Sequence, residues 1–156
     1  MAHRILWFDN DLDFLPPYAD ALRDEGHRVT AVGTLADADR ELAASRYDLL
    51  ILDVMIPTHS EVEEQQYPPE ATNKGTETGL LYYRTWRDRL TKAGTAVLIL
   101  TVRPDSNIRQ MFKDAGAPAA AISTKLDLRN VNDFITKVEQ VLNPTASVHV
   151  RGSRKP

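Results

Sequence analysis

The sequence has 156 residues, enough for one domain with a real core and too few for two comfortable ones. Its 42% hydrophobic and 26% charged residues give the balance of a soluble globular chain rather than a disordered or membrane one. No cysteine is present, which excludes disulfides and thiolate metal sites, and a net charge of −3 gives no electrostatic reason to expect nucleic-acid binding. The longest apolar runs are too short to span a bilayer, and the N-terminus shows no signal-peptide pattern, so no membrane is expected and the expected compartment is the cytoplasm.

Arg4 to Phe8 is an apolar and aromatic run that stops abruptly at Asp9-Asn10-Asp11, the pattern of a buried strand entering a polar loop. Phe14, Tyr18, Ala21 and Leu22 follow at helical spacing. Pro16 and Pro17 are tolerable only in a first turn, so a helix is predicted from there to Gly26. Arg28 to Val32 reads as a second strand. Thr34 is a plausible N-cap for a helix with Leu35, Ala38, Leu42 and Ala43 on one face. Tyr47 to Leu52 is a third, nearly all-apolar strand ended by Asp53.

From Thr58 to Thr78 the apolar period is lost, and the segment reads as a long inserted loop. Loops of that length are uncommon inside compact domains and are usually functional or mobile. Periodicity returns with Leu80, Leu81, Tyr83, Trp86 and Leu90, a helix closed by Gly94. The Trp86, Tyr82 and Tyr83 rings read as packing groups rather than a ligand platform. Ala96 to Leu100 is a fourth strand ended by Thr101. A short helix capped by Asp105 or Ser106 carries Ile108, Met111 and Phe112. Ala119 to Ser123 is a weak fifth strand leading to Lys125, and Asp127 is read as the cap of a last helix through Val141. The domain is placed at 1–143, with 144–156 a disordered polar and basic tail.

Five strands alternating with helices imply an α/β fold, a parallel sheet covered on both faces. Right-handed crossovers favour a doubly wound sheet in the flavodoxin-like order 2-1-3-4-5. Ligands of such sheets bind beyond the C-terminal strand ends, where this chain carries Asp9, Asn10, Asp53, Thr101 and Lys125. Two carboxylates there call for a cation between them, and oxygen donors with room for water suit Mg²⁺. One carboxylate could then attack a phosphoryl group, with Thr101 and Lys125 contacting its oxygens.

The ordered set resembles the response-regulator receivers. Ile5-Leu6-Trp7-Phe8-Asp9-Asn10-Asp11 is similar to that family's first strand and acidic cluster, and Leu49-Leu50-Ile51-Leu52-Asp53-Val54-Met55-Ile56-Pro57 to its phosphoacceptor segment. Leu98-Ile99-Leu100-Thr101 and Ser123-Thr124-Lys125 resemble its fourth and fifth strand ends. The resemblance implies a stand-alone signalling switch, not an enzyme acting on other substrates. Asp53 would accept phosphate from a histidine kinase or phosphotransfer protein. Asp9, Asn10, Asp53 and the Met55 carbonyl would hold Mg²⁺, and Thr101 and Lys125 would relay the change to a downstream protein. Receivers often pair through the face of their last two helices, so the resemblance allows a homodimer.

Four substitutions depart from the pattern. Asn10 stands where a second acid is usual, which weakens a Mg²⁺ site. Leu126 replaces the usual proline after the lysine, Ile122 the aromatic switch residue, and Val102 a smaller side chain. These departures also fit a pseudo-receiver, a protein-binding module of the same fold that does not use phosphate. A haloacid-dehalogenase-like phosphatase would want an acid two residues after its nucleophile, where Asp53 is followed by Met55, although Asp9 and Asp11 have that spacing. A flavodoxin-type flavin carrier would need a phosphate-binding loop after the first strand, and Asp9-Asn10-Asp11 has the wrong charge for one.

Overall fold

The structure is a computed structural model, and it describes residues 2–102 and 106–144. Five strands, β1 (Arg4–Phe8), β2 (Arg28–Val32), β3 (Leu49–Leu52), β4 (Ala96–Thr101) and β5 (Ile122–Thr124), form one sheet in the order β2-β1-β3-β4-β5. Every pairing is parallel, as the sequence predicts for strands joined by helical crossovers. The helices are α1 (Pro16–Asp24), α2 (Leu35–Ala44), α3 (Glu61–Gln66), α4 (Pro69–Thr72), α5 (Thr78–Ala93), α6 (Ser106–Asp114) and α7 (Val131–Leu142).

Because successive strand residues point to opposite faces, the sheet divides its apolar residues between two cores. Leu6, Phe8, Leu50, Leu52, Ile99 and Ile122 face Leu35 and Ala38 of α2, Leu80, Tyr82 and Trp86 of α5, and Ile108 and Phe112 of α6. Ile5, Trp7, Leu49, Ile51, Leu98 and Leu100 face Leu22 of α1 and Phe134 and Val138 of α7. The middle strands are buried on both sides, which is why they read as continuous apolar runs instead of alternating ones. Thr34 caps α2 as its position suggests, its hydroxyl accepting from the Asp37 N–H at 3.1 Å. Among the described residues no helix is long and apolar enough to cross a membrane.

Three segments differ from the sequence reading. The stretch between β3 and α5 is not an open loop. It contains α3 and α4, with Glu63, Tyr67 and Thr72 buried. Tyr67 stacks on Tyr82 of α5 at a centroid distance of 6.1 Å, so the insert is fastened to the α2–α5 core. Ser60 caps α3 by accepting from the Glu63 N–H at 3.1 Å, while Glu63 Oε1 accepts from the His59 N–H at 2.9 Å. The fifth strand is shorter than predicted, since Ala119–Ala121 forms a 3₁₀ turn. Asp127 belongs to a second 3₁₀ turn, Lys125–Asp127, capped by Thr124, and the last helix starts later, with Asn130 as its cap. The predicted tail beyond Pro144 and the Asp105 cap lie outside the described residues.

Candidate functional site

Register brings the acidic residues together. Phe8 pairs with Leu52 across β1 and β3, so Asp9 and Asp53 leave neighbouring strands at the same level. Adjacent strands lie about 4.8 Å apart, and the Asp53 N–H donates to the Phe8 carbonyl at 3.0 Å. Each carboxylate is anchored on one oxygen by local backbone. The Asp11 N–H donates to Asp9 Oδ1 at 2.8 Å, and the Val54 N–H to Asp53 Oδ1 at 2.8 Å. Thr101 pairs with Thr124 across β4 and β5, which puts the start of the Lys125 turn one residue past Thr101.

Lys125 reaches back across this mouth. Its Nζ donates to Asp9 Oδ1 at 3.1 Å, stands 2.8 Å from Asp9 Oδ2, and is 4.0 Å from Asp53 Oδ2. All three side chains are buried: 0% of Asp9, 7% of Asp53 and 5% of Lys125 is exposed. Three charges this far from water interact strongly and must compensate one another. One ammonium cannot neutralise two carboxylates. Burial first, and then the negative charge of Asp9, push the Asp53 carboxyl up to about 7. The Lys125 charge and the Val54 hydrogen bond work in the opposite direction and offset only part of that rise.

The other predicted residues sit around this buried centre. Asn10 is exposed, Met55 is 38% exposed, and Thr101 is buried at the end of β4. Ile122 is packed inside the α2–α5–α6 core, and Val102 and Leu126 are exposed. His3 and His27 meet at the opposite, N-terminal end of β1 and β2, where the His3 N–H donates to His27 Nδ1 at 3.1 Å. Burial lowers the His27 pKa below its ordinary value.

No group of three or more His, Asp or Glu side chains suited to a metal occurs among the described residues. The residues that would hold a Mg²⁺ ion are the two carboxylates, the Asn10 amide and the Met55 carbonyl, with water completing the set. Two features fit a hard cation there. Asp9 Oδ2 is a fully buried anionic oxygen, with the Lys125 ammonium 2.8 Å away. The Asp53 carboxylate lacks sufficient positive charge, which its raised pKa expresses. Oxygen-only donors with open positions are the usual surroundings of Mg²⁺.

Sequence reading missed two neighbours of this centre. Phe14 lies over the Lys125 ammonium, 4.8 Å from Nζ to ring centroid. Gly79, the second residue of α5, abuts the Asp53–Val54 backbone and donates its N–H to the Val54 carbonyl at 2.8 Å. The Phe14 and Tyr18 spacing of i, i+4 is visible in the sequence, but nothing there indicates that Phe14 meets a lysine more than a hundred residues later.

With this geometry in place, the relatives are informative. No family model matches the sequence, and no curated protein does. Among solved structures, the response regulator DrrB, a Thermotoga maritima OmpR/PhoB homolog, aligns over 92% of this chain and 54% of its own, with a TM-score of 0.65 and 23% identity. The CheY-like response regulator receiver domain protein from Methanospirillum hungatei aligns over 94% and 98%, with a TM-score of 0.68 and 19% identity. The Vibrio cholerae chemotaxis protein CheY4 aligns over 90% and 99%, with a TM-score of 0.66 and 18% identity. This chain thus spans about half the length of the first and nearly all of the other two. At these identities the likeness shows the fold alone: a flavodoxin-like α/β fold, shared with the response-regulator receiver domains it matches.

Proposed function

We propose that this chain is a phosphorylation switch of two-component signalling. Asp53 takes a phosphoryl group from the phosphohistidine of a kinase or phosphotransfer protein, in a Mg²⁺-dependent reaction. The observation that carries this reading is the buried Asp9–Lys125–Asp53 constellation at the C-terminal mouth of a receiver-type sheet. Asp53 is the nucleophile in this reading, its Oδ1 fixed by the Val54 N–H and its Oδ2 facing the Lys125 ammonium across 4.0 Å. The attacking oxygen forms a P–O bond as the P–N bond to the donor imidazole breaks, and the imidazole keeps the electron pair and takes up a proton.

Lys125 already stands within 4.0 Å of Asp53 Oδ2, so it meets a phosphoryl oxygen there without a large rearrangement. Thr101, at the end of the neighbouring strand, supplies a hydroxyl to the same mouth. Mg²⁺ held by Asp9, Asp53, Asn10 and the Met55 carbonyl would supply charge neutralisation as the anionic donor approaches. In this reading the chain catalyses only its own phosphoryl transfer and hydrolysis, works in the cytoplasm, and passes its state to another protein.

The test is intact mass after incubation with acetyl phosphate and Mg²⁺, with Asp53→Asn in parallel. One phosphoryl unit added to the wild type alone supports the switch. No addition across donors and metal concentrations supports the second reading, a phosphate-independent protein-binding module. One observation favours that alternative: Lys125 engages both Asp9 oxygens, and Asn10 adds no charge to attract a metal.

A further inference from the structure

The Lys125 ammonium has three N–H directions and sits almost out of contact with water, its side chain 5% exposed. Asp9 accounts for one side of it, at 3.1 and 2.8 Å, and Asp53 lies at 4.0 Å. On a further side is an aromatic face, since the Phe14 ring centroid is 4.8 Å from Nζ. A cation within about 6 Å of a ring centroid is attracted by the negative face of the π system, more so when desolvated.

Phe14 closes the 3₁₀ turn Leu12–Phe14 between Asp9 and α1, a short irregular segment with no sheet to hold it. Its ring is fixed from the side. It stacks on Tyr18 at 4.8 Å with an interplanar angle of 19°, and Tyr18 meets Phe134 of α7 edge-on at 5.4 Å. Phe134 in turn stacks on Trp7, two residues before Asp9, at 5.1 Å. Ring and ammonium are thereby held to the same strand that carries the acid.

We propose that Phe14 is a positioning residue whose ring face holds the Lys125 ammonium in the gap between Asp9 and Asp53. An aliphatic side chain of similar size would fill the space and supply no quadrupole, leaving the ammonium held by Asp9 alone and free to move away from Asp53. The consequence for function rests on the phosphorylation reading above, but the placement of the ammonium does not.

The experiment therefore has two readouts, made on the full chain as wild type, Phe14→Leu and Phe14→Tyr. The first is the proton chemical shift of the Lys125 Cε group, which a ring lying over the ammonium moves upfield. Wild type and Phe14→Tyr are expected upfield, with Phe14→Leu returning to the ordinary lysine position. The second is the rate of phosphorylation by acetyl phosphate, expected to fall roughly tenfold in Phe14→Leu and to be rescued by Phe14→Tyr. Leu22→Ala, two turns further along α1, weakens the same core and is expected to change neither readout in the folded protein. A wild-type Lys125 shift at the ordinary position, or one unaltered by Phe14→Leu, overturns the proposal. So does a loss in Phe14→Leu that Leu22→Ala reproduces. If the wild type takes no phosphoryl group, the phosphorylation reading fails while the chemical shifts still decide the role of Phe14.

Discussion

Asp53 illustrates how a site residue strains the molecule that carries it. Its carboxyl is pushed up to about 7 in the folded chain, chiefly by burial and then by Asp9, against about 3.9 in an unfolded one. The folded state therefore holds a proton that the unfolded state has released between these values. Stability from this group is fully present below about pH 4 and is lost as pH rises through about 7. Asn at this position resembles the protonated acid at every pH. Metal-free Asp53→Asn should thus be more stable than wild type at pH 8, by on the order of 2–4 kcal/mol, with the gain vanishing near pH 4. Urea denaturation at both pH values measures it, and a gain independent of pH would show that Asp53 is not the group responsible. The neighbouring substitution works in the opposite sense on the metal. Asn10→Asp restores a negative charge at the mouth and should tighten Mg²⁺ binding by on the order of tenfold in calorimetric titration. Unchanged affinity would place Asn10 outside the metal shell.

Among the elements, the segment from Pro57 to α5 decides how Asp53 is held. Gly79 carries the start of α5 so close to β3 that a Cβ there would lie 2.1 Å from the Asp53 carbonyl oxygen and 2.7 Å from the Val54 Cα. Both are backbone atoms and cannot swing aside. Gly79→Ala should destabilise the chain by about 1–3 kcal/mol and should slow phosphorylation too, because relief requires moving the Asp53 backbone. Tyr67 fastens the insert through Tyr82, whose hydroxyl donates to Asp39 at 2.9 Å. Tyr67→Ala should release α3 and α4 before the sheet unfolds, so limited proteolysis is expected to cut within residues 58–77 while the remainder persists. The insert was the part of the fold least visible in the sequence. With α3 six residues long, α4 four, and mainly Glu63, Tyr67 and Thr72 buried, no apolar period can arise. The one local sign was Ser60-x-x-Glu63, a capping box lost among polar neighbours. The end of β5 misled for a related reason. Thr124, Asp127 and Asn130 are all capable caps, and only the structure distributes them between a 3₁₀ turn and α7. β1, β3 and β4 were legible because each is an apolar run broken by a polar residue, and burial on both faces requires that pattern.

For the molecule as a whole, the sequence revealed which polar residues end the strands but not how close they come. Closeness depends on strand register, on the reach of Lys125 across the mouth and on Phe14 covering it, all long-range facts. Together they leave the metal-free domain with two buried carboxylates and one ammonium, a balance that a divalent cation can restore. Binding to the folded state alone raises global stability by RT ln(1 + [L]/Kd), about 2.7 kcal/mol at a hundredfold excess over Kd. For a domain of this size that corresponds to a rise in Tm of roughly 5–10 °C. The rise must depend on pH, since a cation can use Asp53 only after its proton has left. Below the pKa of about 7, each further pH unit should weaken the apparent affinity about tenfold for this one group. At a fixed Mg²⁺ concentration, differential scanning calorimetry should therefore show a clear increase in Tm at pH 8 and little at pH 5.5. In Asp53→Asn the pH dependence between those values should largely disappear, even if a weaker shift through Asp9 persists. A wild-type shift of equal size at both pH values would mean that the ion binds without Asp53, and that the buried pair is balanced by Lys125 alone.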